Sequence, residues 1–271
     1  MSINPAQAAL FVPPGLKKFK LSLFEGIGEK VIAAGGRIVR NDHLLLDQLP
    51  PDIYPVIGCS PQLAPLLAKW KATRRTWIGW DRGYLRRVFA TWLPKAVDRQ
   101  HSYYRWHVNS YQMARVRVVP DDRWRALRLD GYPRPWRKGG RKVVIADTLP
   151  DYWLVRGLPT NWSALMADRL RKQTKREVVI RHKESPLSLE QELKDAHCLV
   201  THGSIAAVEA VIMGCPVFVD AESAAAPMGV VGFDDLETPV YPERQAWLNS
   251  LAYSQFNEPE MVDGTLWRLM E

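Results

Sequence analysis

The sequence predicts an α/β protein built from two parallel-sheet domains. Three observations carry that expectation. Short β-branched runs alternate with helical stretches in the N-terminal part; a stretch rich in Arg, Pro and Gly then interrupts the pattern; and the same alternation restarts beyond it. Strands alternating with helices pack as a parallel sheet covered on both faces. The implied organisation is an N-terminal domain over 1–119, a basic linker or loop over 120–141, a second domain over 142–241 and C-terminal helices over 242–271.

In order, the first domain opens with the apolar run 8–12, then Pro-Pro-Gly, then apolar residues at helical spacing over 16–34, ended by Gly35-Gly36. RIVR at 37–40, YPVIG at 54–58 and TWIGW at 76–80 read as strands, with a helix over 63–71. The stretch PDDRWRALRLDGYPRPWRKGGR (120–141) lacks clean periodicity, hence the linker reading. Beyond it, KVVIA (142–146), EVVIR (177–181), CLVT (198–201) and PVFV (216–219) read as strands, separated by helices over 161–174, 189–196 and 205–213. The tail reads as two helices, one carrying Trp247, Leu248 and Leu251, the other Met261, Leu266 and Trp267.

The 271 residues are 46% apolar and 24% charged, enough for sizeable cores and too apolar for wholesale disorder. No run approaches a membrane span, and the N-terminus lacks a signal-peptide pattern. Three widely spaced cysteines, Cys59, Cys198 and Cys215, suit a reducing cytoplasm rather than a disulfide framework or a CxxC metal site. The net charge of +8 hides an asymmetry: from Lys69 to Lys142 there are 20 Lys and Arg against five Asp, while the rest of the chain is net acidic. Twelve Trp and Tyr residues are interleaved there: Trp70, Trp77, Trp80, Tyr84, Trp92, Tyr103, Tyr104, Trp106, Tyr111, Trp124, Tyr132 and Trp136. Arginine neutralises phosphate and aromatic faces stack on bases, so the mixture suits nucleic acid or another anionic acceptor. A solvated basic face is the plainer alternative.

The chemistry concentrates in CLVTHGSIAAVEAVIMGCPVFVD (198–220). A buried strand runs through His202-Gly203-Ser204 directly into a helix. Gly203 permits a tight turn and close backbone approach, and Ser204 is a good N-cap. A helix start presents free N–H groups suited to phosphate. Glu209, alone in an apolar helix, needs a partner: two neighbouring hydroxyls such as those of a ribose, or a nearby Arg.

This run resembles the donor-binding segment of GT-B glycosyltransferases. The resemblance implies two Rossmann-like parallel-sheet domains facing a cleft, with Gly203 and Ser204 at the donor diphosphate, His202 beside them and Glu209 on the ribose. It implies Arg181 and Lys183, in VVIRHK, as phosphate partners, and Ser223, with Asp220 and Glu222, near the sugar. It also implies a tail crossing back onto the first domain. A base to take the acceptor proton would come from the other wall. Asp81 in WDRGY is the first candidate, with Arg82 and Tyr84 as acceptor contacts; Asp81 is equally read as a helix cap. Asp42 and His43 form a second base candidate, and Lys17, Lys18 and Lys20 could face the same cleft.

Absences narrow the class. Gly26-Ile-Gly28 is followed by Val31 rather than Gly, so the dinucleotide fingerprint fails, and GxxxxGK[ST], HExxH and GxSxG do not occur. No DxD occurs, which implies a transfer without metal, with the leaving diphosphate held by basic side chains. No tightly bound cofactor is implied; a nucleotide sugar, a UDP-sugar first, is the co-substrate. The short chain and its basic, aromatic third resemble compact enzymes that glycosylate DNA, including those of bacteriophages, which makes a modified base in DNA the expected acceptor. The alternatives are a cell-surface glycan or lipid-linked acceptor, a non-catalytic nucleic-acid-binding protein, or a sugar-nucleotide epimerase or hydrolase.

Overall fold

A computed structural model of the chain describes residues 3–16, 18–87 and 102–270. The fold is mixed α/β with two parallel-sheet regions. The first sheet holds β1 (Ala8–Val12), β2 (Arg37–Arg40), β3 (Tyr54–Ile57), β4 (Ile78–Arg82) and β5 (Tyr104–Val108). The second holds β6 (Lys142–Ala146), β7 (Glu177–Arg181), β8 (Ala196–Thr201), β9 (Val217–Val219) and β10 (Val230–Val231). A short strand, β11 (Gln255–Phe256), returns to the first sheet.

The second sheet, ordered β10-β9-β8-β6-β7, is parallel throughout. Its central strand β8 is buried at every position, as an apolar strand covered on both faces must be. The first sheet is ordered β11-β5-β4-β3-β1-β2. Strands β1 to β4 pair in parallel, but β5 and β11 are antiparallel, so this sheet is mixed where the sequence suggested a parallel one. Strand β5 has no separate sequence signal because YRWHV is as rich in polar residues as the loop around it.

The helices are α1 (Lys18–Ala33), α2 (Ala64–Thr73), α3 (Asp122–Ala126), α4 (Pro150–Val155), α5 (Trp162–Leu170), α6 (Leu189–Leu193), α7 (Ala206–Ile212), α8 (Gln245–Ala252), α9 (Glu258–Val262) and α10 (Thr265–Leu269). The tail thus contains three helices and a strand. It rejoins the first sheet through the pairing Gln255↔Arg105 and through Trp267, whose ring meets Trp106 at 6.0 Å. Segment 120–141, read as a linker or loop, contains α3 and buries Trp124, Leu127 and Leu129. Its backbone is bonded to the second sheet's covering: Arg134 N–H donates to Ile212 O and Arg137 N–H to Gly214 O. Gly214, at φ +78°, also lets Pro135 O approach to where a Cβ would stand 2.1 Å away. No helix among the described residues is long and apolar enough to cross a membrane.

The burial pattern corrects the reading of the basic, aromatic third. Trp70, Trp77, Trp80, Tyr84, Tyr104, Trp106, Tyr111 and Trp124 are all buried. Tyr103, Tyr132 and Trp136 pack partly buried against a core cluster, and Trp92 lies outside the described residues. These rings stack on one another, as Trp80 does on Trp106 at 6.1 Å, because each large ring contributes most when removed from water. Many of the arginines are likewise used internally, bonding carbonyls that no strand or helix satisfies. Arg75 donates to Leu49 O, Arg86 to Leu127 O, Arg117 to Tyr253 O and Arg137 to Leu193 O. The aromatic half of the DNA expectation is therefore spent on holding the fold, while Lys69, Lys71, Arg74, Arg115, Arg125, Arg128, Arg134, Lys138 and Arg141 stay at the surface, several of them in ion pairs.

Candidate functional site

Parallel sheets place ligands at the carboxyl ends of their strands, where loops diverge. At that end of β4 stand Asp81 and Arg82, inside the strand rather than after it. Antiparallel pairing sets Asp81 opposite Arg105. The Arg105 guanidinium then donates to Asp81 Oδ2 (2.6 Å), Arg82 O (2.8 Å) and Tyr111 O (2.7 Å). The other carboxylate oxygen accepts from Arg82 N–H at 2.7 Å. Asp81 is thus a carboxylate of fixed direction whose side chain still exposes 43% of its surface. Tyr84, read as an acceptor contact, is buried: its hydroxyl accepts from Met113 N–H (2.6 Å) and shares a hydrogen bond with His107 Nε2 (2.9 Å). Burial pushes the Tyr84 hydroxyl's pKa up and holds His107 well below the usual histidine value.

Asp42 is the cap of the short helical turn His43–Gln48, its Oδ1 accepting from Leu44 N–H at 2.8 Å. It and His43 follow β2, the edge strand farthest from β4. Lys17 lies outside the described residues, and the side chains of Lys18 and Lys20 are not among those described.

On the second sheet, β6 is followed by Asp147, β7, which ends on Arg181, by His182-Lys183, β8 by His202 and β9 by Asp220. Arg181 turns to α6, where its Nε lies 3.8 Å from Glu192 Oε2. His182 Nδ1 lies 2.9 Å from Asp147 Oδ2, and Ser163 Oγ donates to Asp147 Oδ1 at 2.6 Å. Lys183 keeps exposed surface, yet partial desolvation lowers its ammonium's pKa below the usual lysine value. Arg82 and then Arg87 add to that shift, and Asp81 opposes it. Lys183 of the second sheet thus lies within electrostatic reach of Asp81 and Arg82, at the end of β4, and of Arg87 after it.

Beside this group, His202 Nδ1 meets the Tyr152 hydroxyl at 3.0 Å and Nε2 lies 3.8 Å from Asp220 Oδ2. Partial burial lowers the His202 pKa; Asp220 opposes this and Arg156 assists it. Glu222 forms an ion pair with Arg156, whose guanidinium lies over the Tyr152 ring. Ser223 is buried, and its hydroxyl accepts from Ala225 N–H at 3.2 Å, closing the turn after β9.

The turn into α7 is more enclosed than its sequence implied. A Cβ on Gly203 would meet Tyr152 Oη at 2.3 Å, so any larger residue there must push that side chain aside. Ser204 Oγ accepts from Ala206 N–H at 3.3 Å, at the helix entry. Glu209 is buried within α7, where every residue is buried, and its carboxylate is ion-paired with Arg87 from the loop after β4. Of the two partners open to it from sequence, an arginine holds it in this structure.

The arrangement adds Arg87, Arg105, Asp147, Tyr152, Arg156 and His182 to the residues singled out in the sequence. Asp147 and Tyr152 had a legible signal, the run ADTLPDYW directly after an apolar strand. Arg87 and Arg105 had none, since their partners lie far away in the chain. A cavity of about 970 Å³ lies elsewhere, at the amino ends of β6 and β7, lined by Arg141, Lys142, Lys175, Arg176 and Glu237 among others. Its cations Arg141 and Arg176 are held by Asp195 (2.6 Å) and Glu237 (2.7 Å), so it is set apart from the carboxyl-end cluster.

No protein-family model matches the chain, and no curated protein matches it. Among solved structures, the fold is similar to Thermosulfurimonas dismutans KpsC, beta Kdo 2,7 transferase. That match has a TM-score of 0.54 at 10% identity, covering 95% of this chain and 99% of that one. It is also similar to Thermosulfurimonas dismutans KpsC, beta Kdo 2,4 transferase, with a TM-score of 0.51 at 13% identity, covering 92% of each chain. At these identities the likeness is one of fold, and it extends over nearly the whole length of both proteins.

Proposed function

We propose that the chain is a glycosyltransferase of the GT-B kind that moves a nucleotide-activated sugar onto a glycan, either at the cell surface or lipid-linked. The observation that carries this reading is the end-to-end likeness in fold to two Kdo transferases, combined with a charged cluster at the same strand ends that open α/β sheets use for ligands. DNA is not carried forward as acceptor: the two similar structures are named as Kdo transferases, and most of the aromatic rings that recommended stacking on bases are buried.

In this reading the donor lies between the carboxyl ends of β4 and β7. Lys183, Arg82 and Arg87 supply positive charge for its phosphate and, for a sugar acid such as Kdo, its carboxylate. As the glycosidic bond to phosphate breaks, that positive charge stabilises the departing anion without rearranging. Asp81, aimed by Arg105, is the carboxylate that faces the reacting centre and takes the acceptor proton. Glu209 takes the ribose hydroxyls once Arg87 turns from it to the phosphate, so donor binding and release of that ion pair are one event. His202, Gly203, Ser204 and Ser223 form the neighbouring wall, and Arg181 acts from behind through Glu192.

The test is a thermal-shift panel of nucleotide sugars, UDP-sugars and nucleotide-activated Kdo among them, on the wild type and on Lys183→Ala. A shift with at least one donor that Lys183→Ala abolishes supports the reading. A protein that responds to no nucleotide or nucleotide sugar contradicts it.

A further inference from the structure

Gln112 connects the two sheets by a contact that neither sheet could make alone. It lies just after β5 in a segment held from both sides. Tyr111 donates its hydroxyl to Gly58 O at 3.2 Å, and Met113 N–H donates to Tyr84 Oη at 2.6 Å. Ser110 Oγ accepts from Gln112 N–H (3.0 Å) and donates to Gln112 O (2.8 Å), while Arg105 holds Tyr111 O. From this base the side chain crosses to the second sheet. Its Nε2 donates to Gly203 O at 2.5 Å, and its Oε1 accepts from Ala224 N–H at 2.8 Å. The residue is only 2% exposed.

Gly203 and Ala224 belong to the turns that follow β8 and β9, adjacent strands of the second sheet. A primary amide carries its acceptor and its donors in one plane, so it holds a carbonyl and an N–H at a fixed separation. Turned over, the amide would set oxygen against Gly203 O and nitrogen against Ala224 N–H, so the network admits one orientation. A side chain that merely filled space would need neither bond.

We propose that Gln112 is a positioning residue of the donor site: an amide from the first sheet that sets the spacing of the 202–204 and 223–225 turns. The role rests on the transferase reading above for its consequence in catalysis, but not for the contact itself. Any donor lying across these turns meets a wall whose width is dictated by the opposite sheet, so donor affinity and the packing of the two sheets are linked.

Two variants test this. Gln112→Leu keeps volume and removes both bonds. Gln112→Glu keeps shape, but as a carboxylate it sets oxygen against Gly203 O; protonated, it donates there again and still accepts from Ala224. The titratable and charged groups around the amide are His202 and Tyr152 at the 202–204 turn, with Asp220 and Arg156 behind them. Tyr84, His107 and Arg105 stand on the 110–113 side. All are present in the wild type, so each variant is read as its ratio to wild type at the same pH. With nucleotide-activated Kdo as donor, Gln112→Leu should raise donor KM about tenfold, lower kcat less than threefold and leave acceptor KM unchanged. Gln112→Glu should match it at pH 8 and return toward wild type at pH 5.5. Unchanged donor KM in folded Gln112→Leu, or a Gln112→Glu ratio independent of pH, overturns the proposal. If Gln112→Leu does not fold, the Gln112→Glu ratio decides alone. If the wild type transfers no sugar, the transferase reading fails and hydrogen exchange decides the positioning role. Faster exchange of the Ala224 amide in Gln112→Glu at pH 8 but not at pH 5.5 supports it, and equal exchange at both overturns it.

Discussion

Removing Arg87 should destabilise the protein more than any other single charge deletion near the site, and the reason lies in α7. Glu209 keeps 6% of its side-chain surface and sits among residues that are all buried, so water alone hydrates its carboxylate poorly. Arg87, at 14% exposure, is its cation. Arg87→Ala strands a buried carboxylate, which costs roughly 3–5 kcal/mol when one partner of a buried pair is lost. For a chain of this size each kcal/mol moves Tm by about 2–4 °C, so the expected fall is roughly 6–20 °C. Two internal controls sharpen the reading. Adding Glu209→Gln to Arg87→Ala removes the stranded charge and should recover most of the loss. Arg87→Lys, which keeps a cation beside Glu209, should lose less than Arg87→Ala. The assay is thermal unfolding by circular dichroism, with urea titration as a check. An Arg87→Ala protein that melts with the wild type would refute the claim that this ion pair sustains the buried Glu209 carboxylate.

Other expectations follow from the same geometry. Asp81→Asn should keep the Tm within a few degrees, since the residue is half exposed, while lowering turnover by roughly 10²-fold or more, as loss of a general base does. Loss of fold rather than of turnover would make Asp81 a structural partner of Arg105. Lys183→Ala should raise donor KM about tenfold with little change in Tm, and the wild type's donor affinity should decline at alkaline pH before an ordinary lysine would titrate, because desolvation lowers the Lys183 pKa. His107 and His202 both titrate lower when folded than in the unfolded chain, where 6.5 applies. The unfolded state then binds more protons, so stability is full above pH 6.5 and declines as pH falls toward the folded values. His107→Phe should flatten that acid slope in a melting series, while also losing the Tyr84 bond.

The sequence was most legible where physics is local. KVVIA, EVVIR and CLVT carry their strands in β-branched residues, and Gly203 does admit a close approach, although Tyr152, the neighbour that makes it, has no signal beside that glycine in the chain. The reading weakened wherever the deciding partner was remote. Trp and Tyr side chains in a basic third look alike whether they face a base or one another, and only the tertiary fold shows Trp80 against Trp106 and Trp106 against Trp267. Arginine is equally ambiguous: the guanidinium that suits phosphate also suits a row of unsatisfied carbonyls, and Arg105, Arg117 and Arg123 chose the latter. The tail strand β11 is two residues long and exists because β5 offers an edge, which no local pattern announces. At the site, Glu209 was correctly seen to need a partner, but the choice between ribose and arginine depended on a loop some 120 residues earlier in the chain.

The central claim is sugar transfer, and the most direct measurement is product analysis. The purified protein is incubated with nucleotide-activated Kdo and a set of glycan acceptors, with a hydroxymethylated DNA duplex alongside, and the products are read by mass spectrometry. The account predicts an acceptor glycan heavier by one sugar residue, formed by wild type, lost in Asp81→Asn, with the DNA unmodified. Release of free sugar with no acceptor modified, or sugar found on the DNA, would contradict it.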